Sequence, residues 1–395
     1  MKHTPFAIEP VPQQFTQAVQ FNASTTCVIQ RVADLVHKIW LHVKLPALNP
    51  DNKYPGARYC DEVGYALIEH VELRIGQHQI DKHYGHFLQA WNQLNCPEEK
   101  RFLDHLVGKT GGDISQLQAN AMTEQDLWIP LEFWFNRSIA HALPIAGLQF
   151  HTVQLDFKFA KFEDLVADWG ANRTVMSPPD KQFFAELMCH YIYLDDQERS
   201  YFGTVPQEYL IDQLQFQEKS LTASAGAVND AMSMTLNHPC RELIWTVVSE
   251  AAIAANEPFC YGALNKSYNM AGDPLYSVGL KFNELQRFQE MDAVYFREIQ
   301  PSLHHTSIPR KNVYCYSFAL EPESLKPSGS INMSRIDTVK LTFKSVGFSG
   351  VHHPGLGLDA TGKPNTRDGA RFRVYARTIN VFSIQSGMAG IKYCN

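Results

Sequence analysis

Val153-Gln154-Leu155-Asp156-Phe157-Lys158-Phe159 alternates apolar and polar residues throughout, and Val339, Leu341 and Phe343 restate its apolar positions 186 residues later. A period of two puts one set of side chains on a core and the other toward water, so each stretch predicts a half-buried β-strand. Each follows, after a turn-rich interval of similar length, another aromatic strand: Phe133 to Phe135 in the first case, Phe318 to Leu320 in the second. Two copies of one β-domain in series account for the recurrence.

Further strand-like runs bracket both copies. In the first half they are Ile39 to Leu45, Val71 to Ile75 before the turn at Gly76, and Leu127 to Phe135, with the domain closing near His190 to Leu194. In the second they are Glu208 to Phe216, Glu242 to Val248, Ser277 to Phe282, Asn312 to Leu320, Ile336 to Phe343 and Phe372 to Ile384. Ile80, Tyr84, Phe87, Leu88 and Trp91 recur at helical spacing and predict a short amphipathic helix over Asp81 to Trp91. Residues 96–126, 219–236 and 251–274 read as loops. Pro5, Pro10 and Pro12 exclude a helix from residues 5–20 and predict an extended arm. Asp195 to Phe202 is charged, opens on acidic residues and ends at Gly203, as a helical linker should. The expected division is an arm over 1–22, a first β-domain over 23–194, a linker over 195–207 and a second β-domain over 208–395.

Composition agrees with an all-β chain of two domains. The 395 residues are 45% hydrophobic, 12% aromatic and 19% charged, with 21 Pro and 23 Gly, which excludes a disordered chain and suits many short strands. The net charge of -6 argues against a general nucleic-acid binder, since neutralising phosphates needs a basic excess. The charge is uneven: residues 301–395 hold 12 Lys/Arg against 5 Asp/Glu, a balance of +7, which leaves -13 for residues 1–300. That asymmetry concerns partners, not fold. Eight cysteines (Cys27, Cys60, Cys96, Cys189, Cys240, Cys260, Cys315, Cys394) include no C-x-x-C pair. Reduced thiols with no disulfide within the subunit are therefore expected, in a chain made and kept in a reducing cytoplasm. No apolar segment follows Met1 to Pro5 and no 18 apolar residues run together, so neither a secretory signal nor a membrane span is expected. The sequons at Asn22, Asn136, Asn172, Asn265 and Asn332 would matter only on a secretory route or with dedicated machinery.

Candidate sites are few. His78, Asp81, His83 and His86 crowd together, but no H-E-x-x-H or H-x-H pattern supplies a ligand set, and turn or helix-capping roles are expected instead. His304-His305 and His352-His353 read as loop residues. Gly108-Lys109-Thr110 imitates the end of a P-loop, yet Leu103 stands where glycine is needed. Gly355-Leu356-Gly357-Leu358-Asp359-Ala360 satisfies a loose dinucleotide pattern, but Pro354, Gly362 and Pro364 surround it and mark a loop. No Gly-x-Ser-x-Gly elbow is present. No catalytic residue, metal or cofactor is expected. Pro327-Ser328-Gly329-Ser330 should form one defined turn, because proline fixes φ, glycine admits positive φ and serine hydroxyls bond nearby amides. Beyond it, Arg335 and Asp337 flank Ile336 on one strand face, placed to bond neighbouring loops or to form an ordinary surface pair.

Pro327-Ser328-Gly329-Ser330-Ile331-Asn332-Met333-Ser334-Arg335-Ile336-Asp337 resembles the P-S-G-S-x-N-F-S-R-I-D signature of the major capsid proteins of nucleocytoplasmic large DNA viruses. Five further stretches are similar to that family and collinear with it. They are Ile80 to Gly85, Phe133 to Arg137 with Ala142-Leu143-Pro144, Glu208 to Phe216, Asn237 to Trp245, and Ser386 to Gly390. Met333 and Ala389 depart from the family's usual Phe and Gly, and the chain is short for it.

The resemblance implies a structural protein rather than an enzyme: two consecutive eight-stranded jelly rolls with short helices in long loops. It implies homotrimers of pseudo-hexagonal outline tiling an icosahedral virion shell assembled in the host cytoplasm. The implied partners are neighbouring trimers, penton and minor capsid proteins and, through minor proteins, an internal membrane, with no direct nucleic-acid contact. Trimers held by apolar and backbone contacts, joined to one another by salt-sensitive contacts, are expected. Pro327, Ser328, Gly329, Ser330, Asn332, Ser334, Arg335 and Asp337 would form a shaped structural motif. The alternative is a β-sandwich that binds or hydrolyses carbohydrate, which would need a convergent carboxylate pair or ligand set in a pocket.

Overall fold

The computed structural model describes residues 5–48, 56–168, 182–262, 272–356 and 363–393. Sixteen strands among them make two sandwiches. The first uses β1 (Ala7–Gln14), β2 (Ser24–Ile29), β3 (Leu35–Leu45), β4 (Ile68–Ile75), β5 (His78–Tyr84), β6 (Gln125–Pro130), β7 (Val153–Phe159) and β8 (Phe184–Tyr193). The second uses β9 (Gln207–Leu221), β10 (Val228–Met234), β11 (Pro239–Ser249), β12 (Leu275–Phe282), β13 (Leu285–Asp292), β14 (Val313–Ser317), β15 (Val339–Ser345) and β16 (Ala370–Gln385). Sheet orders are β1-β8-β3-β6 and β2-β7-β4-β5 in the first, β9-β16-β11-β14 and β10-β15-β12-β13 in the second. Adding eight to every label of the first sandwich gives the second, so one double-sheet jelly roll occurs twice.

The alternation of Val153 to Phe159 falls on β7 and that of Val339 to Phe343 on β15, which occupy the same place in their sheets. Val153, Leu155, Phe157 and Phe159 are buried in the first core, and Val339, Leu341 and Phe343 in the second. Phe343 stacks on Phe372 of β16, with centroids 4.4 Å apart and planes 6° from parallel. Phe343→Ala is expected to cost about 3–5 kcal/mol through lost burial and the cavity left behind, read as a lower urea midpoint with unchanged slope.

β11 shows why one run lacked alternation. All but the first of its residues are buried. Leu243, Trp245 and Val247 belong to the core of the second sandwich, while Ile244 and Val248 join the core of the first. The sheet β9-β16-β11-β14 thus lies between two apolar layers, and the two jelly rolls share packing.

Several expectations are corrected. The arm expected over residues 1–22 contains β1, paired antiparallel with β8. Pro10 and Pro12 are tolerated because β1 is the edge strand of its sheet, where a missing N–H breaks no ladder. Leu127 to Phe135 is not one strand: β6 stops at Pro130, and Trp134–Arg137 is a helical turn. Phe318 to Leu320 likewise lies in bends beyond β14. The helix expected over Asp81 to Trp91 begins only at Gly85, as α1 (Gly85–Asn95), because residues 78–84 complete the hairpin β4-β5. The loop at 96–126 carries a 3-10 helix (Glu98–Val107) and a helix (Ile114–Asn120) capped by Asp113. The region 219–236 holds β10, whose Met232 and Met234 point into the core. Part of 251–274 is the helix Glu250–Ala254, and residues 263–271 lie outside the described ones.

The helix expected over Asp195 to Phe202 is α2 (Asp196–Thr204), which runs through Gly203 rather than ending there, and Asp195 Oδ1 caps it by accepting from the Glu198 N–H at 2.8 Å. Seven of the eight cysteines are free thiols, and Cys394 lies outside the described residues. Among the described residues, no helix is long and apolar enough to cross a membrane.

Candidate functional site: the buried junction between the sandwiches

Motif residues 327–337 fold back on the chain leaving β14. Leu320 N–H donates to Ser328 O at 3.1 Å. The Ser328 hydroxyl accepts from Glu321 N–H at 3.0 Å and donates to Glu321 O at 3.1 Å. Gly329 has φ 130°, and a Cβ there would lie 3.0 Å from Phe318 O, so glycine is required. Ile331–Asn332 pairs with the start of β11. Asn332 Oδ1 then caps a 3-10 turn (Met333–Arg335) by accepting from Ser334 N–H at 3.1 Å, and Ser334 Oγ accepts from His238 N–H at 2.8 Å. Met333 anchors the loop in the second core. The expectation that Arg335 and Asp337 share a strand face is corrected: Arg335 ends the 3-10 turn and β15 begins at Val339. Both are exposed, with no ion pair among the described residues. The loop is a shaped connector.

The histidine-rich cluster divides into separate structural roles. Asp81 Oδ2 pairs with His83 Nε2 at 2.9 Å, and His86 Nδ1 lies 2.7 Å from the Tyr375 hydroxyl of the second sandwich. Among the described residues, no group of three or more His, Cys, Asp and Glu is placed to hold a metal ion. Gly108 closes the 98–107 helix, and Thr110 donates to Asp61. Of the 355–360 segment, residues 357–360 lie outside the described ones.

Charge instead concentrates between the sandwiches. Asp212 of β9 accepts from Arg137 at 2.6 Å and from Arg377 at 2.8 Å, and lies 3.2 Å from Arg241. Arg377 also donates to Glu242, whose second oxygen lies 3.0 Å from His305 Nε2. His305 Nδ1 reaches Glu323 at 3.0 Å. Above this chain, the Trp91 ring of α1 lies 4.0 Å from the Arg377 guanidinium and 5.0 Å from that of Arg137. Asp212, Arg241, Glu242 and Arg377 are all buried. His305 is a loop residue, as expected, in the bend after the helix Gln300–His304, but not a solvated one. Its side chain is fully buried, because it must close this chain of charges.

Burial by itself would raise the Asp212 carboxyl, but Arg377, Arg137 and Arg241 hold it below the usual range. Burial opposes ionisation of Glu242 as well, yet Arg377 and His305 bring it down to about 2. Burial disfavours the His305 cation, and Glu242 outweighs that, keeping it well above the usual imidazole range. Charges removed from water persist only when paired in this way.

Other ties cross the same boundary. Arg58 pairs with Glu257 at 2.6 Å, Lys311 with Glu62 at 2.6 Å, and Tyr261 OH donates to Gln89 at 2.9 Å. Gln213 Nε2 donates to Ile80 O at 2.5 Å, and Leu214 N–H to Asp81 Oδ1 at 3.0 Å. The sequence offered one signal for these residues: Arg137, Asp212, Arg241 and Glu242 stand inside or beside apolar strand-like runs. A charge in such a run is buried and hence partnered. Asp212, Glu242, Glu62 and Glu257 are each paired with a cation, which builds a rigid clamp across the boundary.

Comparison with known proteins follows the same two halves. Residues 1–195 match the family described as major capsid protein N-terminus, and residues 198–390 match the large eukaryotic DNA virus major capsid protein family. The chain is 31% identical to the major capsid protein of Pyramimonas orientalis virus, over all of this chain and 92% of that one. It is 30% identical to that of Paramecium bursaria Chlorella virus 1, over all of this chain and 93% of the relative. A chain of the PBCV-1 virus capsid superposes with a TM-score of 0.81 at 28% identity, covering 100% of this chain and 98% of that one. The Faustovirus major capsid protein shares the fold at a TM-score of 0.73 and 12% identity, covering 96% and 91%.

Proposed function

The chain belongs to the major capsid protein family of large eukaryotic DNA viruses, and on that premise we propose that three copies join into a pseudo-hexagonal trimer that tiles an icosahedral shell. The observation that carries this is the repeat of one strand order in two sandwiches clamped by a buried charge network. Two similar rigid bodies per chain give six around a threefold axis, and six similar bodies fill a plane. In this proposal the first sandwich and the second, from residue 208 onward, are neighbouring corners of the hexagon joined through 195–207. The Pro327, Ser328, Gly329, Ser330, Asn332, Ser334, Arg335 and Asp337 loop keeps a fixed shape at one end of the second corner. Penton and minor capsid proteins meet the trimers from outside this chain, minor proteins bridge to an internal membrane, and assembly proceeds in the host cytoplasm.

The trimer contacts are apolar, and contacts between trimers draw on the opposite charges of residues 301–395 and 1–300. At an ionic strength near 1 M the Debye length is about 3 Å, which removes steering between exposed charges and leaves buried apolar contacts intact. Light scattering and electron microscopy of purified protein across a salt series test this. The expected result is hexagonal trimers at all salt concentrations, with larger assemblies only at low salt. A monomer at low salt, or trimers that dissociate before larger assemblies do, defeats the proposal.

A further inference from the structure

Within one chain, strand β5 of the first sandwich is covered by strand β9 of the second. The contact is not a shared ladder: Gln213 Nε2 reaches Ile80 O, Leu214 N–H reaches Asp81 Oδ1, and the Tyr84 and Phe216 rings lie 4.6 Å apart. Each strand is the outermost of its own sheet. Because it is covered, β5 leaves only His78 and Gln79 exposed, and β9 only Glu208, Glu218 and Ser220.

The repeat supplies each of these strands with an equivalent. That of β5 is β13, and that of β9 is β1, again outermost strands. Both are bare. Strand β13 exposes six of its eight residues and β1 six of eight. Their exposed residues are partly apolar: Leu285 on β13 is 77% exposed, and Phe6 and Ile8 at β1 are 56% and 43% exposed. Pro10 and Pro12 keep β1 from extending a neighbouring ladder, as the side-chain seam between β5 and β9 also avoids one.

We propose that β13 of one copy seats against β1 of a second copy, repeating between chains the seam that β5 and β9 make within one. The inference rests on the trimer reading and adds the surfaces that form it. One edge type is free at each end of the repeat, so the contact is head-to-tail. Such a contact closes into a ring when the rotation per step divides the circle, and two sandwiches per chain with six per ring close at three copies. The occupant is a second copy because this chain itself carries the complementary edge, already fitted to its equivalent inside the same molecule.

The test uses the full chain. Leu285→Asp and Ile8→Asp each place a charge on one side of the seam and leave the monomer core untouched, so unchanged circular dichroism and thermal midpoint are expected. Each is expected to weaken every seam of the ring about tenfold or more, giving monomers where the wild type is trimeric. Leu303→Asp, 64% exposed on the helix Gln300–His304, is the control and keeps the trimer. Independently, p-benzoylphenylalanine placed at Leu285 should photo-crosslink to peptides spanning residues 5–14 of another chain. A wild type that is monomeric removes the trimer reading itself. A trimer that survives both aspartates, loses only its assembly into larger particles, or crosslinks from position 285 to other peptides overturns the seam alone.

Discussion

Arg377→Met is expected to lower stability by about 3–5 kcal/mol, the cost of removing one partner from a buried charge network. The methionine fills much of the space, but Asp212 keeps only Arg137 and Arg241, and Glu242 keeps only His305. A loss of that size approaches the whole stability of many domains, so low soluble yield at 37 °C is the first sign. The pH dependence identifies the cause. Glu242 is held at about 2 in the folded chain against an ordinary 4.5, so its contribution is present above about pH 4.5 and is lost as pH falls toward 2. The deficit of the variant should therefore be largest near neutrality and shrink below pH 4.5. Adding Glu242→Gln should recover part of it in a double-mutant cycle by urea unfolding. A deficit that stays constant from pH 7 to pH 3 would assign Arg377 a packing role only.

Gly85→Ala should be as damaging for a different reason. Gly85 opens α1 directly after β5, and an added Cβ would fall inside the van der Waals shells of the Tyr65 and Ile68 carbonyl oxygens. Both are backbone atoms, which cannot swing aside as a flexible side chain can. The cost is expected to exceed about 4 kcal/mol, in the range reserved for severe overpacking and backbone conflict. Gly203→Ala is the matched control: it lies in α2 with nothing within 4 Å of the added carbon, and should be neutral or stabilise by up to about 1 kcal/mol. Soluble yield and urea midpoints of the two variants, measured together, check the contrast. Equal midpoints would show that the 65–68 backbone yields.

What could be read in the sequence follows from how each strand is buried. Strands β7 and β15 bury one face, so their alternation was visible and their equivalence with it. Strand β13 buries neither face, and Leu285-Gln286-Arg287-Phe288-Gln289-Glu290-Met291-Asp292 carries no alternation to detect. Strand β1 was hidden by prolines that only an edge position permits. For β5, the apolar spacing of Ile80, Tyr84 and Phe87 mimics a helix because it straddles the strand and the helix that follows. The junction residues were not singled out, although Arg137, Asp212 and Glu242 lie within stretches that carry the family resemblance. Their importance depends on pairing across long separations, as between Asp212 and Arg377, which local pattern does not encode.

The placement of β16 between β9 and β11 has a consequence for biosynthesis. A ribosome finishes the first sandwich at residue 193, but the central strand of the β9-β16-β11-β14 sheet ends only at residue 385. At about 5–20 residues per second, some 10–40 s separate the two events. Through that interval α1 and β5 lie open at the surface, and β9 has no partner strand within its own sheet. Neighbouring nascent chains on one message present the same unfinished edges to each other. Productive folding then depends on holding those chains apart until the last few dozen residues leave the exit tunnel, and the yield of this protein should respond to chaperone supply and translation rate more than to the stability of the finished subunit.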